Sequence, residues 1–195
     1  MYNIVTACSR TENLNKIKQS LEPFTDKITW YIVYDSTKRE VEIPEKHQMF
    51  VDAIAEMSYF DWIKQLSVEG GVTGSAQRNS ALDIITDGYV YFLDDDNLLH
   101  QNLIPTIESM VELKADNLGY VFSQQLENSV RKIRWENIKQ THIDTAQFML
   151  HRDLIGGHRF RHHYCADGEF IENIYKNNPG EFTLIEDVLC YYNIS

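Results

Sequence analysis

The chain has 195 residues, 29 Asp plus Glu against 18 Lys plus Arg, and a formal net charge of −11 with its seven His neutral. At 43% apolar and 24% charged it lies near the globular average, and a chain of this length buries about 70% of its unfolded surface, so one α/β domain over residues 1–195 folds without a disulfide or metal staple. The acidity, with no lysine-rich arm, excludes a nucleic-acid binder, whose affinity comes from Lys and Arg neutralising phosphates.

Residues 2–8 form an apolar, β-branched run that predicts a strand. Ser9 and Glu12 stand at capping-box spacing ahead of Leu14, Ile17 and Leu21, which predicts a helix. Residues 28–34 predict a second strand that stops at the turn formers Asp35-Ser36. A polar loop with Pro44 and a short strand near 48–51 follow. The glycine-rich run Gly70-Gly71-Val72-Thr73-Gly74 then leads into a helix over 76–85 with Ser75 as its N-cap. Asp87-Gly88 turns the chain into a continuous apolar strand, 89–93, which ends abruptly in Asp94-Asp95-Asp96-Asn97.

A helix from about 100 to 114 comes next, then strands at 120–123, 130–135 and 145–151. A loop at Gly156-Gly157, a helix over 167–177 and a closing strand over 182–192 complete the chain. The early strand and helix alternation predicts a mostly parallel sheet with helices on both faces. Such sheets bind ligands beyond the carboxyl ends of their strands, so the segments after Val5, Tyr34 and Leu93 are expected to line a crevice.

Three cysteines, Cys8, Cys165 and Cys190, form no Cys-x-x-Cys pair and fit a reducing compartment, so the expected location is cytoplasmic. The first ten residues lack the basic start and long apolar core of a signal peptide. No window reaches the ~18 apolar residues of a membrane span, so no transmembrane segment is expected.

If residues 94–96 stay extended, a period of two turns Asp94 and Asp96 to one side and Asp95 to the other. Paired carboxylates repel unless a hard divalent cation, Mg²⁺ or Mn²⁺, sits between them. The competing reading is a solvated acidic turn that favours the start of the next helix.

The run Gly74-Ser75-Ala76-Gln77-Arg78-Asn79, followed by Tyr89-Val90-Tyr91-Phe92-Leu93-Asp94-Asp95-Asp96-Asn97, resembles nucleotide-sugar glycosyltransferases of the GT-A fold. The likeness covers most of the chain and is most specific over its first 100 residues. By that resemblance, Thr6, Ala7, Ser9, Arg10 and Asp35 would hold the nucleoside, and Arg78 would sit near the nucleotide or its phosphates. Asp94 and Asp95 would lie near the donor, and Asp96, with Asp94, would meet the metal. Arg10 and Arg78 also read as helix-surface residues, and Asp35 as a plain strand end. For Arg78 the physical case is firmest, because a guanidinium fork in the first turn of a helix matches phosphate oxygens.

Four of the seven His and three of the eight Arg fall between 151 and 163. This basic island, next to Gly156-Gly157, is expected to close over a diphosphate, or else to be a solvated loop. The resemblance adds His163 as a further metal ligand. Asp167 and Glu169 start the next predicted helix, where capping alone favours them. One of them, Asp167 by preference, is the candidate general base toward an acceptor hydroxyl. Asp144 precedes a predicted strand and is a candidate to hydrogen-bond donor or acceptor hydroxyls.

The resemblance therefore implies a metal-dependent (Mn²⁺ or Mg²⁺), inverting glycosyltransferase. It would move a sugar from a nucleoside diphosphate sugar, a UDP-sugar first, to a glycan or other hydroxyl acceptor. Residues 1–100 would form the nucleotide-binding half and 101–195 the acceptor half. Two alternatives are a sugar nucleotidyltransferase, disfavoured because residues 6–12 contain no Gly, and a non-catalytic nucleotide-sugar or carbohydrate-binding domain.

Overall fold

The computed structural model describes residues 1–38, 52, 55–113 and 117–193. Its frame is one eight-stranded sheet. Four strands are parallel and lie in the order β3 (Ile63–Val68), β2 (Ile28–Asp35), β1 (Tyr2–Cys8) and β4 (Tyr89–Phe92). The sheet continues through β7 (Phe148–His151), antiparallel to β4, and then β5 (Gly119–Gln125), antiparallel to β7. Strand β8 (Phe182–Tyr191) runs parallel to β5, and the two-residue β6 (Val130–Arg131) pairs antiparallel to it. The architecture is mixed α/β with a mainly parallel centre, as the alternation of elements predicts.

Alternation along the strands divides the core. On one face Ile4, Trp30, Ile32 and Tyr91 pack with Leu14, Ile17 and Leu21 of α1 (Leu14–Leu21) and with Leu103, Ile104 and Ile107 of α3 (Leu103–Glu112). On the other, Val5, Val33, Val90 and Phe92 pack with Ala81 and Leu82 of α2 (Ser75–Ile84) and with Phe170, Ile171 and Ile174 of α5 (Ala166–Asn177). The one-turn α4 (Arg152–Ile155) follows β7 directly. Among the described residues no helix is long and apolar enough to cross a membrane.

Several local expectations change. The expected strand near 48–51 and the loop with Pro44 lie outside the described residues, and strand β3 takes a place that no strand was assigned. Ser75 is not the N-cap of α2: Gly74 is, at φ 75°, while the Ser75 hydroxyl donates to the Val72 and Arg161 carbonyls. The Ser9-Glu12 capping box does not form, because Ser9 is engaged by Asp95 and α1 opens after a 3₁₀ turn at Thr11–Asn13. The strand expected over 130–135 shrinks to β6, and 145–147 is a 3₁₀ turn capped by Asp144 rather than part of β7.

Candidate functional site

A cavity of about 1010 Å³ opens where β1, β2 and β4 end at their carboxyl termini. Ala7, Ser9 and Arg10 reach it from the segment leaving β1, and Asp35 from the end of β2. Gly71, Thr73, Gly74, Gln77 and Arg78 come from the glycine-rich loop and the first turn of α2, and Asp94, Asp95, Asp96 and Asn97 from beyond β4. The opposite wall holds Arg131, His142, Asp144, Thr145, Tyr164, Cys165, Asp167 and Tyr192.

The acidic run does not stay extended. Strand β4 stops at Phe92, and the Asn97 amide donates to the Asp94 carbonyl at 3.0 Å, folding 94–97 into a turn. The three carboxylates consequently meet different partners. Asp95, 3% exposed, accepts from the Ser9 amide at 2.6 Å, the Ser9 hydroxyl at 2.9 Å and the Arg10 amide at 2.9 Å on one oxygen. Its other oxygen takes the Arg10 guanidinium, and its carbonyl accepts from the Asn13 side chain. Asp95 is thus the bolt that fastens the β1–α1 loop. Asp94 pairs with Arg78 Nη2 at 2.5 Å and accepts from the Thr145 hydroxyl at 3.3 Å. Asp96 lies 3.0 Å from Arg10 Nη2.

Arg78 lines the cavity, yet two arms of its fork are committed: Nη1 donates to the Thr73 carbonyl at 2.6 Å and Nη2 holds Asp94. Its Nε is buried without a partner, as is Oε1 of the neighbouring Gln77. Thr73 holds a left-handed backbone, φ 53° and ψ 33°, unusual for a β-branched residue. Gly70 and Gly74 let this loop approach closely: a Cβ on Gly70 would collide with the Asp35 carboxylate, and one on Gly74 would lie 2.8 Å from Ala7 Cβ. Asp35 Oδ1 accepts from the Thr37 amide at 3.0 Å and hydroxyl at 2.6 Å.

Asp167, in the first turn of α5, faces the cavity. Burial pushes its pKa up, against the pull of Arg78 and the Gly168 amide, while Asp94 pushes it further up. Asp144 faces the same space and is raised to about 6, chiefly by burial and then by Asp94, with Asp167 adding and Arg131 opposing. Its Oδ1 accepts from the Ala146 amide at 3.0 Å and the Gln124 amide group at 3.3 Å.

Three expected site residues are not on the cavity wall. Thr6 is fully buried, its hydroxyl accepting from Trp30 Nε1 at 2.9 Å, because the strand period that brings Ala7 to the cavity turns Thr6 away. Glu169 is taken up by Arg161, 3.0 Å away, and by His163. His163 spends Nε2 on Glu169 and accepts the Cys165 amide at Nδ1, 3.2 Å, which leaves neither ring nitrogen for a metal.

The basic island is likewise turned elsewhere. Arg152 donates to the carbonyls of Ile85 and Leu82 at the C-terminal end of α2, a favourable place for a cation, and Arg159 pairs with Asp83. Phe160 is buried and exchanges two hydrogen bonds with Asn79. No residue of 151–163 lines the cavity, although Tyr164, directly after the island, does, and His162 packs against the cavity-lining Gly71.

Among the described residues no group of three or more His, Cys, Asp or Glu is arranged to hold a metal ion. Mg²⁺-type ions seldom need such a cage: they take one or two carboxylates and complete their shell with water and substrate phosphates. Asp94 and Asp96, with side chains 28% and 24% exposed on the cavity, fit that donor set.

No protein-family model matches the sequence, and no curated protein matches it. Solved structures do. TarS 1–349 of S. aureus in complex with UDP-GlcNAc superposes with a TM-score of 0.76 at 12% identity, over 98% of this chain and 58% of that one. Full TarS gives 0.68 at 12% identity over 100% and 37%. The mannosyltransferase PcManGT from Pyrobaculum calidifontis, in complex with GDP-Man and Mn²⁺, gives 0.66 at 13% identity over 100% and 56%. The chain thus spans between about a third and three fifths of the length of these relatives, and at such identity the likeness establishes the fold.

Proposed function

We propose that the chain is a glycosyltransferase that takes a nucleoside diphosphate sugar as donor and a hydroxyl group as acceptor. The observation that carries this reading is the cavity at the carboxyl ends of β1, β2 and β4, on whose wall Asp94, Asp96, Arg78 and Asp167 stand together. The shared fold of the UDP-GlcNAc and GDP-Man complexes supports it. In this reading the nucleoside lies toward Asp35, Ala7 and the glycine-rich loop, which line one side of the cavity. The diphosphate lies toward Arg10 and the turn at 94–97. A UDP-sugar is the first donor to test.

A divalent ion, Mn²⁺ or Mg²⁺, would be held by Asp96 with Asp94 and supplies neutralising charge for the departing diphosphate. Asp167 is the base: its partly desolvated carboxylate draws the proton from the acceptor hydroxyl. The oxygen bonds to the anomeric carbon as the bond to the diphosphate breaks, on the opposite face in an inverting reaction. Asp144, on the same wall, orients the acceptor by a hydrogen bond.

The test is a thermal-shift panel of UDP, GDP, CMP and dTDP, each with Mn²⁺ or with chelator. Ligand at a hundredfold over its Kd adds about 2.7 kcal/mol, a rise of several degrees for a chain of this size. Absence of any metal-dependent shift would overturn the donor-site reading. Release of nucleotide from a donor only when an acceptor is added separates an enzyme from a binding domain.

A further inference from the structure

Arg10 places a cation directly on the carboxylate assigned above to the metal. Its Nε lies 2.8 Å from Asp95 Oδ1, and its Nη2 meets the same oxygen while standing 3.0 Å from Asp96 Oδ2. The two acids differ in freedom. Asp95 is buried and bonded on both oxygens, whereas the Asp96 side chain is 24% exposed and Arg10 itself 46%. One arm of a rigid fork thus bridges a buried acid and a partly exposed one on the cavity wall. The third acid of the run has its own arginine, Arg78. Two guanidinium groups therefore neutralise the acidic turn from within, which removes the repulsion that three adjacent carboxylates would otherwise suffer.

The geometry points to Arg10 as an internal counter-cation that occupies Asp96 until a diphosphate arrives. A divalent ion on Asp96 Oδ2 competes with Nη2 for the same oxygen and is repelled by the guanidinium charge. A diphosphate changes that balance, because phosphate oxygens give the fork an alternative anion and free Asp96. Arg10 so holds metal affinity low in the empty site and ties metal uptake to nucleotide uptake. This inference rests on the reading of Asp96 as a metal-contacting carboxylate.

The experiment is a Mn²⁺ titration followed by the electron paramagnetic resonance signal of the free aqua ion, without nucleotide and with UDP. It is run on the whole chain and on the Arg10→Gln and Arg10→Lys variants, with circular dichroism to verify folding. Arg10→Gln should gain nucleotide-free Mn²⁺ affinity by about tenfold, corresponding to about 1.4 kcal/mol. Arg10→Lys keeps a charge near Asp95 but cannot span two acids with a planar fork, so it should gain by an intermediate factor.

Unchanged nucleotide-free affinity in the folded variants, while UDP still promotes Mn²⁺ uptake by the unaltered chain, overturns the role of Arg10 alone. If the unaltered chain takes up no Mn²⁺ even with UDP, the assignment of Asp96 fails and this inference fails with it. Should Arg10→Gln not fold, Arg10→Lys decides: a gain supports the counter-cation and no gain overturns it.

Discussion

Asp167 and Glu169 are separated by one residue on α5, yet they face different neighbours. Glu169 already serves Arg161 and His163, while Asp167 looks into the cavity with its carboxyl pushed up by burial. Asp167→Asn should therefore keep nucleotide-dependent thermal stabilisation and lose sugar transfer by about 10²-fold or more, the lower end of what general-base catalysis supplies. Transfer at the normal rate would move the base elsewhere.

Asp144 makes a prediction in pH. Its carboxyl, raised to about 6, retains a proton in the folded protein where an unfolded Asp, near 3.9, has lost it. The folded state thus binds more protons between about pH 4 and about pH 6, and this group's contribution to stability falls as pH rises through that window. Asp144→Asn keeps the acceptor oxygen for Ala146 and Gln124 and has no proton to lose. Its melting temperature relative to the unaltered chain should climb across that window in chelator and then level; a flat difference would refute the shift.

At this scale the sequence was readable where residue type coincides with the end of a strand or the start of a helix: Ser9, Arg10, Asp35 and the acidic run follow strands, Arg78 and Asp167 open helices, and all reach the cavity. It was not readable for Arg131 and Tyr192, which come from distant segments that no spacing rule joins. Nor could it show that Asp95 is consumed by the backbone of the β1–α1 loop.

Elements meet through their closest approaches, and α5 has one that a single methyl group tests. Gly168 lies in this helix against the turn before Ile143; a Cβ there would sit 2.8 Å from Gln140 Cα and 3.0 Å from the Thr141 amide nitrogen. In an open helix, alanine for glycine stabilises by about 0.4–1 kcal/mol. Here backbone has to move, so Gly168→Ala should destabilise by about 1–3 kcal/mol in urea unfolding. A more stable variant would show that the turn at 140–141 yields freely.

Contact between elements is also where reading from sequence stops. The charge of the 151–163 segment is plain in the sequence, but its direction depends on α2, whose C-terminal carbonyls lie within reach of Arg152. Strand β3 escaped notice because Ile63-Lys-Gln-Leu-Ser-Val has only weak alternation, as a strand that pairs with one neighbour among the described residues can.

Across the whole molecule, the sheet carries both halves of the chain: β7 from the second half pairs with β4 from the first. Phe92 meets Phe148, Phe160 and Phe170, all from beyond residue 100. A fragment of residues 1–100 would expose that ring and leave one edge of β4 unpaired. It should show no cooperative thermal transition by circular dichroism and no nucleotide-dependent shift; a sharp melt with such a shift would make the first half an independent unit. The net charge of −11 also takes on spatial meaning, since Arg10, Arg78 and Arg131 all stand on the cavity wall. The same wall carries six aspartates, Asp35, Asp94, Asp95, Asp96, Asp144 and Asp167, so in the proposed reading a diphosphate needs the divalent ion as well as these arginines to offset its charge.

The left-handed Thr73 adds a mechanical side to this arrangement. A β-branched residue in that conformation carries about 1–2 kcal/mol of strain, and its carbonyl is held down by Arg78, the same side chain that grips Asp94. Arg78 is thus a latch on a loaded spring. A group that drew the guanidinium away would free the Thr73 carbonyl and the Asp94 carboxylate together, because one side chain holds both.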